Sequence, residues 1–179
     1  MQGNDPIHSE RHWFVVYTNP RAEKKLSRLF KKYKIEHYLP LVSKKQKWSD
    51  RIKTVELPCF QSYIFVKILF WQERVNVLQL PGAHHFVFEK GKPAIVDETI
   101  LFGLQEGLTN HSESFEIRQE EALQKGKFVK VISGPLVGKV LEIEKRKNKV
   151  TVILRFPMLN QVATYEVNIE EIDWEEIQK

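Results

Sequence analysis

The fold of the chain is decided near its start, by the stretch His12-Trp13-Phe14-Val15-Val16-Tyr17-Thr18-Asn19-Pro20. Its first seven residues are mostly β-branched or aromatic and predict a strand. A helix is predicted to follow, because Asn19 can cap a helix and Pro20 fits its first position. Apolar residues then recur at helical spacing on one face, at Ala22, Leu26, Leu29, Phe30 and Tyr33.

Further elements are predicted outward from this strand and helix. Strands are expected at 36–42, 52–57, 63–68 and 85–88, and helices at 70–80 and after the capping residue Asp97. This order predicts an α+β domain, an antiparallel sheet with helices on one side. We expect it to span residues 11–108, after a disordered N-terminus at 1–10.

A second, all-β domain is predicted at 125–179, after a polar linker at 109–124 that has little periodicity. Strands are expected at 128–132, 137–144, 150–156 and 162–167, separated by turn signals at Ser133-Gly134-Pro135 and Lys147-Asn148. Short strands at this spacing are typical of a small β-barrel.

Composition restricts the class of protein. The chain has 179 residues, 42% of them hydrophobic, and a net charge of +5, which suits contact with nucleic acid without proving it. Cys59 is the only cysteine, so neither an internal disulfide nor a four-thiolate zinc site is expected. No apolar run approaches the roughly 20 residues that span a bilayer, and the polar start does not resemble a secretory signal. We therefore expect a cytoplasmic monomer without membrane contact.

The predicted sheet has more apolar surface than its helices can cover. In the first strand, Tyr17 points to one face and Val16 to the other, and Phe65 and Ile64 alternate in the same way in the strand at 63–68. Three short helices cover about one face. The opposite face is therefore either a partner site lined by aromatic residues, or it is covered by the second domain, the linker or a loop.

Motifs of catalysis are missing from the sequence. It has no Walker loop, no dinucleotide fingerprint and no histidine, cysteine and carboxylate cluster at metal-binding spacing. His84 and His85 are adjacent, so a regular strand would place them on opposite faces and prevent chelation. Cys59 has no recognisable base partner. We expect neither an enzyme nor a bound metal or cofactor.

Several segments, taken in order, resemble the NusG N-terminal domain. They are residues 13–25, Tyr38-Leu39-Pro40-Leu41, Trp48-Ser49-Asp50-Arg51 and Phe60-Gln61-Ser62-Tyr63-Ile64-Phe65-Val66. In the second domain, residues 126–140 resemble the KOW motif, which would make that domain an SH3-like KOW barrel. The resemblance implies a transcription elongation and antitermination factor that binds RNA polymerase.

The resemblance also implies residue roles in the first domain. Four aromatic residues would dock on the coiled-coil clamp helices of the largest polymerase subunit: Tyr17, Phe60, Tyr63 and Phe65. Glu73 and Arg74 would lie near the polymerase gate loop.

Two basic segments are candidates for contact with non-template and upstream DNA, with a solvated charged face as the alternative. They are the helix face of Arg21, Lys24, Lys25 and Arg28, and the loop of Lys44, Lys45, Lys47, Trp48 and Arg51. In the KOW domain, the apolar tip of Phe156, Met158 and Leu159 would bind a small-subunit ribosomal protein or Rho, unless these residues belong to the core.

One departure from the family pattern concerns the turn before the strand at 63–68. The family usually has Phe-Pro-Gly-Tyr, where this chain has Phe60-Gln61-Ser62-Tyr63, so the bend is expected to differ. The departure resembles specialised RfaH-type and capsule-operon paralogues and favours an operon-specific factor. A housekeeping NusG-type factor and a ribosome-associated KOW protein that binds RNA are the alternatives. The Val- and Ile-rich segments from 150 to 167 predict a second domain that stays β throughout.

Overall fold

The computed structural model describes residues 9–47, 51–120 and 126–177. Trp48, one of the residues predicted to contact DNA, lies outside this part of the chain, as does most of the N-terminal segment expected to be disordered. The chain forms two compact units, Met1–Val96 and Asp97–Lys179.

Among the residues that the structure describes, the first unit has two helices and nine short strands. The helices are α1 (Glu23–Lys32) and α2 (Phe70–Leu78). The strands are β1 (His12–Thr18), β2 (His37–Tyr38), β3 (Leu41–Lys47), β4 (Ile52–Pro58), β5 (Tyr63–Ile68), β6 (Ala83–Phe86), β7 (Phe88–Glu89), β8 (Lys92–Pro93) and β9 (Ile95–Val96).

The main sheet of this unit has the order β2-β5-β1-β6, with β9 also paired to β1, and every pairing is antiparallel. On one face of this sheet, a core cluster forms where Phe14 and Val16 of β1 meet Ile64 and Val66 of β5. Both helices contribute buried residues to this core: Leu26, Phe30, Phe70 and Val77. The predicted α+β fold with helices on one side of an antiparallel sheet is confirmed.

Strands β3 and β4 form a separate two-stranded ribbon. It pairs in register from Leu41 opposite Pro58 to Lys47 opposite Ile52. Most side chains of the ribbon are exposed. The ribbon therefore adds little to the core and presents its basic residues to solvent.

In its described parts, 97–120 and 126–177, the second unit has one long helix, two 3₁₀ turns and six strands. The helix is α3 (Glu98–Asn110), and the turns are Pro157–Leu159 and Ile169–Glu171. The strands are β10 (Glu116–Gln119), β11 (Lys127–Val131), β12 (Val140–Arg146), β13 (Lys149–Phe156), β14 (Gln161–Asn168) and β15 (Trp174–Glu176).

These strands form one antiparallel sheet in the order β10-β14-β13-β12-β11-β15. Within the described residues its end strands β10 and β15 do not pair, so the sheet is not a closed barrel. A buried ion pair crosses it: Arg155 Nε lies 2.7 Å from Glu142 Oε2, and Glu142 Oε1 accepts a hydrogen bond from the backbone N–H of Gly126 at 2.7 Å. Glu142 is buried, and these bonds supply the partners that a buried carboxylate requires.

Helix α3 packs with the second unit, whereas the sequence analysis assigned it to the first domain. It lies against β13 and β14, and two glycines one turn apart allow the close approach. A Cβ added to Gly103 would come within 2.9 Å of Leu154, and one added to Gly107 within 2.4 Å of Tyr165. The apolar periodicity of the helix showed that one face is buried, but not on which sheet.

The predicted linker at 109–124 also differs from the structure. Residues 98–110 are helical, and β10 pairs with β14 from Glu116 opposite Thr164 to Gln119 opposite Gln161. Polar composition suggested a linker, but an edge strand with one exposed face tolerates such residues.

The close packing of α3 predicts the effect of adding a methyl group at Gly107. We expect Gly107→Ala to lower the free energy of unfolding by about 1–2 kcal/mol, because overpacking against Tyr165 exceeds the gain in helix propensity. Urea denaturation of the full chain measures the change, and amide hydrogen exchange locates it. Gln105→Ala, at an exposed position of the same helix, is the control. A stabilised Gly107→Ala protein would contradict this packing.

Candidate functional site

Two tyrosines lie side by side where β1 ends and β5 begins. Tyr17 and Tyr63 are directly opposite in the antiparallel register, and their ring centroids are 5.4 Å apart in an edge-to-face arrangement. Both side chains are partly exposed. Burial, followed by the neighbouring Tyr17, raises the pKa of Tyr63 above its ordinary value. We call this pair the tyrosine site.

The two phenylalanines predicted to join these tyrosines are buried. Phe60 is 1% exposed and Phe65 is 0% exposed. Their rings meet edge-on at 5.8 Å, and the Tyr38 ring stacks on Phe65 at 6.5 Å. In this structure the tyrosines are therefore the accessible members of the aromatic group.

The turn that delivers Tyr63 keeps a sharp bend without the proline and glycine of the family pattern. Ser62 has a φ of 64°, in the left-handed region that glycine adopts more easily. Its carbonyl accepts a hydrogen bond from Thr18 N at 2.8 Å, and its N–H donates to the buried carboxylate of Glu23 at 2.6 Å. These two bonds hold the turn to β1 and to α1.

His84 and His85 lie together beside Tyr17, so the prediction that they face opposite ways was wrong. The β1–β6 register shifts between Tyr17, opposite His85, and Thr18, opposite Ala83, which leaves His84 as an extra residue. The two Nδ1 atoms are 2.7 Å apart, and both rings contact Tyr17, at 5.9 Å from His84 and 5.0 Å from His85. Alternation along a strand fails at such a bulge, and no local pattern of residues indicates one here.

Metal binding and membrane crossing have no candidates among the residues that the structure describes. No group of three or more histidine, cysteine or carboxylate side chains is close enough there to hold a metal ion. None of the helices in the same ranges has the length and hydropathy needed to cross a membrane.

The basic face of α1 and the basic ribbon are joined by a hydrogen bond. Arg21, Lys24, Lys25 and Arg28 are exposed, as are Lys44, Lys45, Lys47 and Arg51. Lys24 Nζ donates to the carbonyl of Glu56 on β4 at 2.7 Å, which ties the helix to the ribbon. The two predicted segments are thus adjacent parts of one basic surface.

Glu73 and Arg74 both have partners inside the first unit. Glu73 Oε2 accepts a hydrogen bond from Leu69 N at 2.7 Å and its Oε1 lies 2.9 Å from Arg11 Nη2, so it caps the start of α2. The Arg74 guanidinium lies over the Trp71 ring at 4.5 Å. Contact of these two residues with a gate loop remains a prediction.

The predicted apolar tip of the second unit is mostly core. Phe156 is buried, Leu159 is nearly so, and Met158 is partly exposed. Other large apolar side chains on this unit are more exposed, among them Phe128 and Val137. Neither was predicted to be exposed, because an exposed apolar residue and a core apolar residue look alike in a short segment of sequence.

Cys59, next to Phe60, has a thiol of low reactivity. Burial raises its pKa to about 12, and the nearby Lys44 opposes this only in part.

We expect native Cys59 to react with iodoacetamide at pH 8 roughly a hundredfold more slowly than an ordinary thiol, with a rate that still rises beyond pH 10. Mass spectrometry measures the labelling, and the unfolded chain is the control. Ordinary native reactivity that levels off near pH 9 would contradict this burial.

A family model and a solved structure each match this chain. Residues 11–104 match the sequence family described as "NusG: Transcription termination factor nusG". A solved structure titled "Domain interaction in Thermotoga maritima NusG" is similar at 19% identity and a TM-score of 0.48, covering 94% of this chain and 98% of that one. No curated protein matches the chain. Because the family match spans more than half of the chain, the protein belongs to the NusG family, whose members are non-catalytic transcription factors that interact with RNA polymerase.

Proposed function

We propose that this NusG-family factor docks on the clamp helices of the largest RNA polymerase subunit through the tyrosine site, and thereby suppresses pausing or termination. The observation that carries the proposal is the pairing of Tyr17 and Tyr63, two partly exposed rings 5.4 Å apart at one end of the central strands. The resemblance of the segments around them to the NusG N-terminal domain implies that both residues dock on polymerase.

The chemistry of the site suits a helical protein partner. A tyrosine ring offers a large apolar surface with few rotatable bonds, and its hydroxyl can donate to a polar group at the rim of an interface. Phe60 and Phe65 are already buried and packed edge-to-face on each other, so these two rings require little ordering on binding. In this proposal the phenylalanines support the contact and the tyrosines make it.

The basic surface on α1 and the ribbon is proposed to follow the DNA of the transcription bubble. Its support is the concentration of exposed lysine and arginine on two elements that the bond from Lys24 to Glu56 holds together. Such cations supply affinity for phosphates without reading sequence. The predicted stacking of Trp48 on an unpaired base belongs to the same proposal.

One secondary contact is proposed in each of the two units. The start of α2, with Glu73 and Arg74, would face the polymerase gate loop. In the KOW-type unit, a small-subunit ribosomal protein or Rho would bind near the turn after β13, where Met158 is more accessible than Phe156 and Leu159.

An operon-specific role is proposed over a housekeeping one. Its support is the turn Phe60-Gln61-Ser62-Tyr63, which departs from the usual family sequence and nevertheless bends through a left-handed serine. The alternative of a ribosome-associated KOW protein would leave the tyrosine site without a role.

Polymerase capture tests the tyrosine site. We expect Tyr17→Ala combined with Tyr63→Ala to weaken binding to purified RNA polymerase by roughly a thousandfold, because two aromatic hot spots at the centre of an interface contribute about 2 kcal/mol each. Phe65→Ala is unsuitable, since removing a fully buried ring would destabilise the fold. Tyr33→Ala, an exposed tyrosine at the end of α1, is the matched control.

Biolayer interferometry with polymerase on the sensor measures these affinities, after circular dichroism has verified the fold of each variant. Equal binding by the double variant and the wild type would exclude the tyrosine site. Binding of ribosomes but not polymerase by the wild type would favour the alternative function.

Salt dependence tests the basic surface. For a single-stranded oligonucleotide, we expect Lys45→Gln with Lys47→Gln to reduce the slope of log affinity against log salt concentration by about 1.4, which corresponds to two lost phosphate contacts. Fluorescence anisotropy measures the slope. Lys31→Gln with Lys32→Gln, two exposed lysines in the last turn of α1, is the control with equal charge change. An unchanged slope in the ribbon variant would show that the ribbon does not contact the strand.

A further inference from the structure

A buried carboxylate lies between the basic helix and the tyrosine site. Glu23 is the first residue of α1 and is 5% exposed, although glutamate is rarely buried without a partner. Its Oε1 accepts a hydrogen bond of 2.6 Å from the backbone N–H of Ser62, which is 39 residues further along the chain. This bond connects α1 directly to the turn before β5.

Ser62, whose N–H donates this bond, has a strained backbone. Ser62 has a φ of 64°, and a residue with a Cβ adopts that conformation only when its surroundings hold it there. Its carbonyl is fixed by Thr18 N at 2.8 Å, and its N–H is fixed by Glu23. The peptide groups on both sides of Ser62 are therefore anchored to different elements.

The orientation of the tyrosine site depends on this turn. Tyr63 directly follows Ser62 and its N–H closes the turn onto the carbonyl of Phe60 at 3.3 Å. The same turn places Phe60 against Phe65 and Tyr63 against Tyr17. Relaxation of Ser62 to negative φ would rotate the peptide that leads into Tyr63.

We propose that Glu23 is a positioning residue for the tyrosine site: its carboxylate holds Ser62 in the left-handed conformation and so sets the direction of Tyr63. A carboxylate suits this place for two reasons. A charged acceptor makes a stronger bond to a backbone N–H than a neutral one, and the first turn of a helix favours a negative charge. The proposal rests on the proposed docking of the tyrosine site on polymerase, and it adds that the basic helix and this site are held as one unit.

A set of variants at these two positions separates positioning from general stability. We expect Glu23→Ala to weaken polymerase binding roughly tenfold, because Ser62 loses the bond that offsets its strain. Glu23→Gln should stay within about threefold of the wild type, since its amide oxygen can accept the same N–H. Adding Ser62→Gly to Glu23→Ala should restore most of the binding, because glycine adopts positive φ without strain.

Glu89→Ala, an exposed glutamate in β7, is the control and should bind as the wild type does. Folded Glu23→Ala protein that binds polymerase as tightly as the wild type would overturn the proposal. A loss that Ser62→Gly does not restore would also overturn it, because the role of Glu23 would then not act through the backbone of Ser62.

Nuclear magnetic resonance of the free protein tests, in the absence of polymerase, whether Glu23 positions Tyr63. We expect the chemical shifts of the Ser62 amide proton and of the Tyr63 ring to change in Glu23→Ala. When Ser62→Gly is added, the chemical shifts of the Tyr63 ring should return towards their wild-type values. Unmoved signals would overturn the positioning role even if polymerase binding changed. If the wild type did not bind polymerase, the proposed function would fail, and these signals would still decide whether Glu23 positions the tyrosine.

Discussion

The antiparallel pairing of β1 with β5 is the constraint on which the rest of the first unit depends. Its register sets Phe14 opposite Val66 and Val16 opposite Ile64, which directs four apolar side chains to the face covered by α1 and α2. The same register brings Tyr17 and Tyr63 together at one end. A shift of one residue would exchange the two faces, so the core and the tyrosine site are specified by one set of hydrogen bonds.

The tyrosine site is built by contacts from several elements. The turn before β5 is tied to β1 through Thr18 and to α1 through Glu23, while the bulge in β6 brings two histidines against Tyr17. The basic ribbon is attached to α1 in turn through Lys24. An aromatic surface and a basic surface are therefore carried by elements that hydrogen bonds connect, which suits a factor that holds polymerase and nucleic acid together.

The sequence predicted elements well where the apolar pattern was strong and local. The strand β5 (Tyr63–Ile68) was predicted with its observed ends. Helix α1 was predicted from the spacing of Leu26 and Phe30. The packing partner of α3 was not predictable, because it depends on close contact of Gly103 and Gly107 with residues about fifty positions away. Strands β10 and β15 of the second sheet were not predicted, because they are short, polar edge strands with little pattern of their own.

The candidate site was predictable in its residue types but not in its exposure. Resemblance to the family identified Phe60 and Phe65 together with the tyrosines, yet burial depends on neighbours such as Tyr38 that come from other strands. The bulge at His84 and the bond from Glu23 to Ser62 are tertiary features that no local pattern reports. The loss of the family glycine indicated a changed bend, whereas the structure keeps a left-handed residue there and holds it with a carboxylate.

Site-specific photo-cross-linking from position 63 tests the central claim most directly. Tyr63 would be replaced by p-benzoylphenylalanine in the full chain, mixed with purified RNA polymerase and irradiated, and the linked peptide would be identified by mass spectrometry. The account predicts cross-links to the coiled-coil clamp helices of the largest subunit, which excess wild-type protein suppresses and excess Tyr17→Ala, Tyr63→Ala protein does not. Cross-links confined to other regions of polymerase, or equal suppression by both competitors, would contradict it.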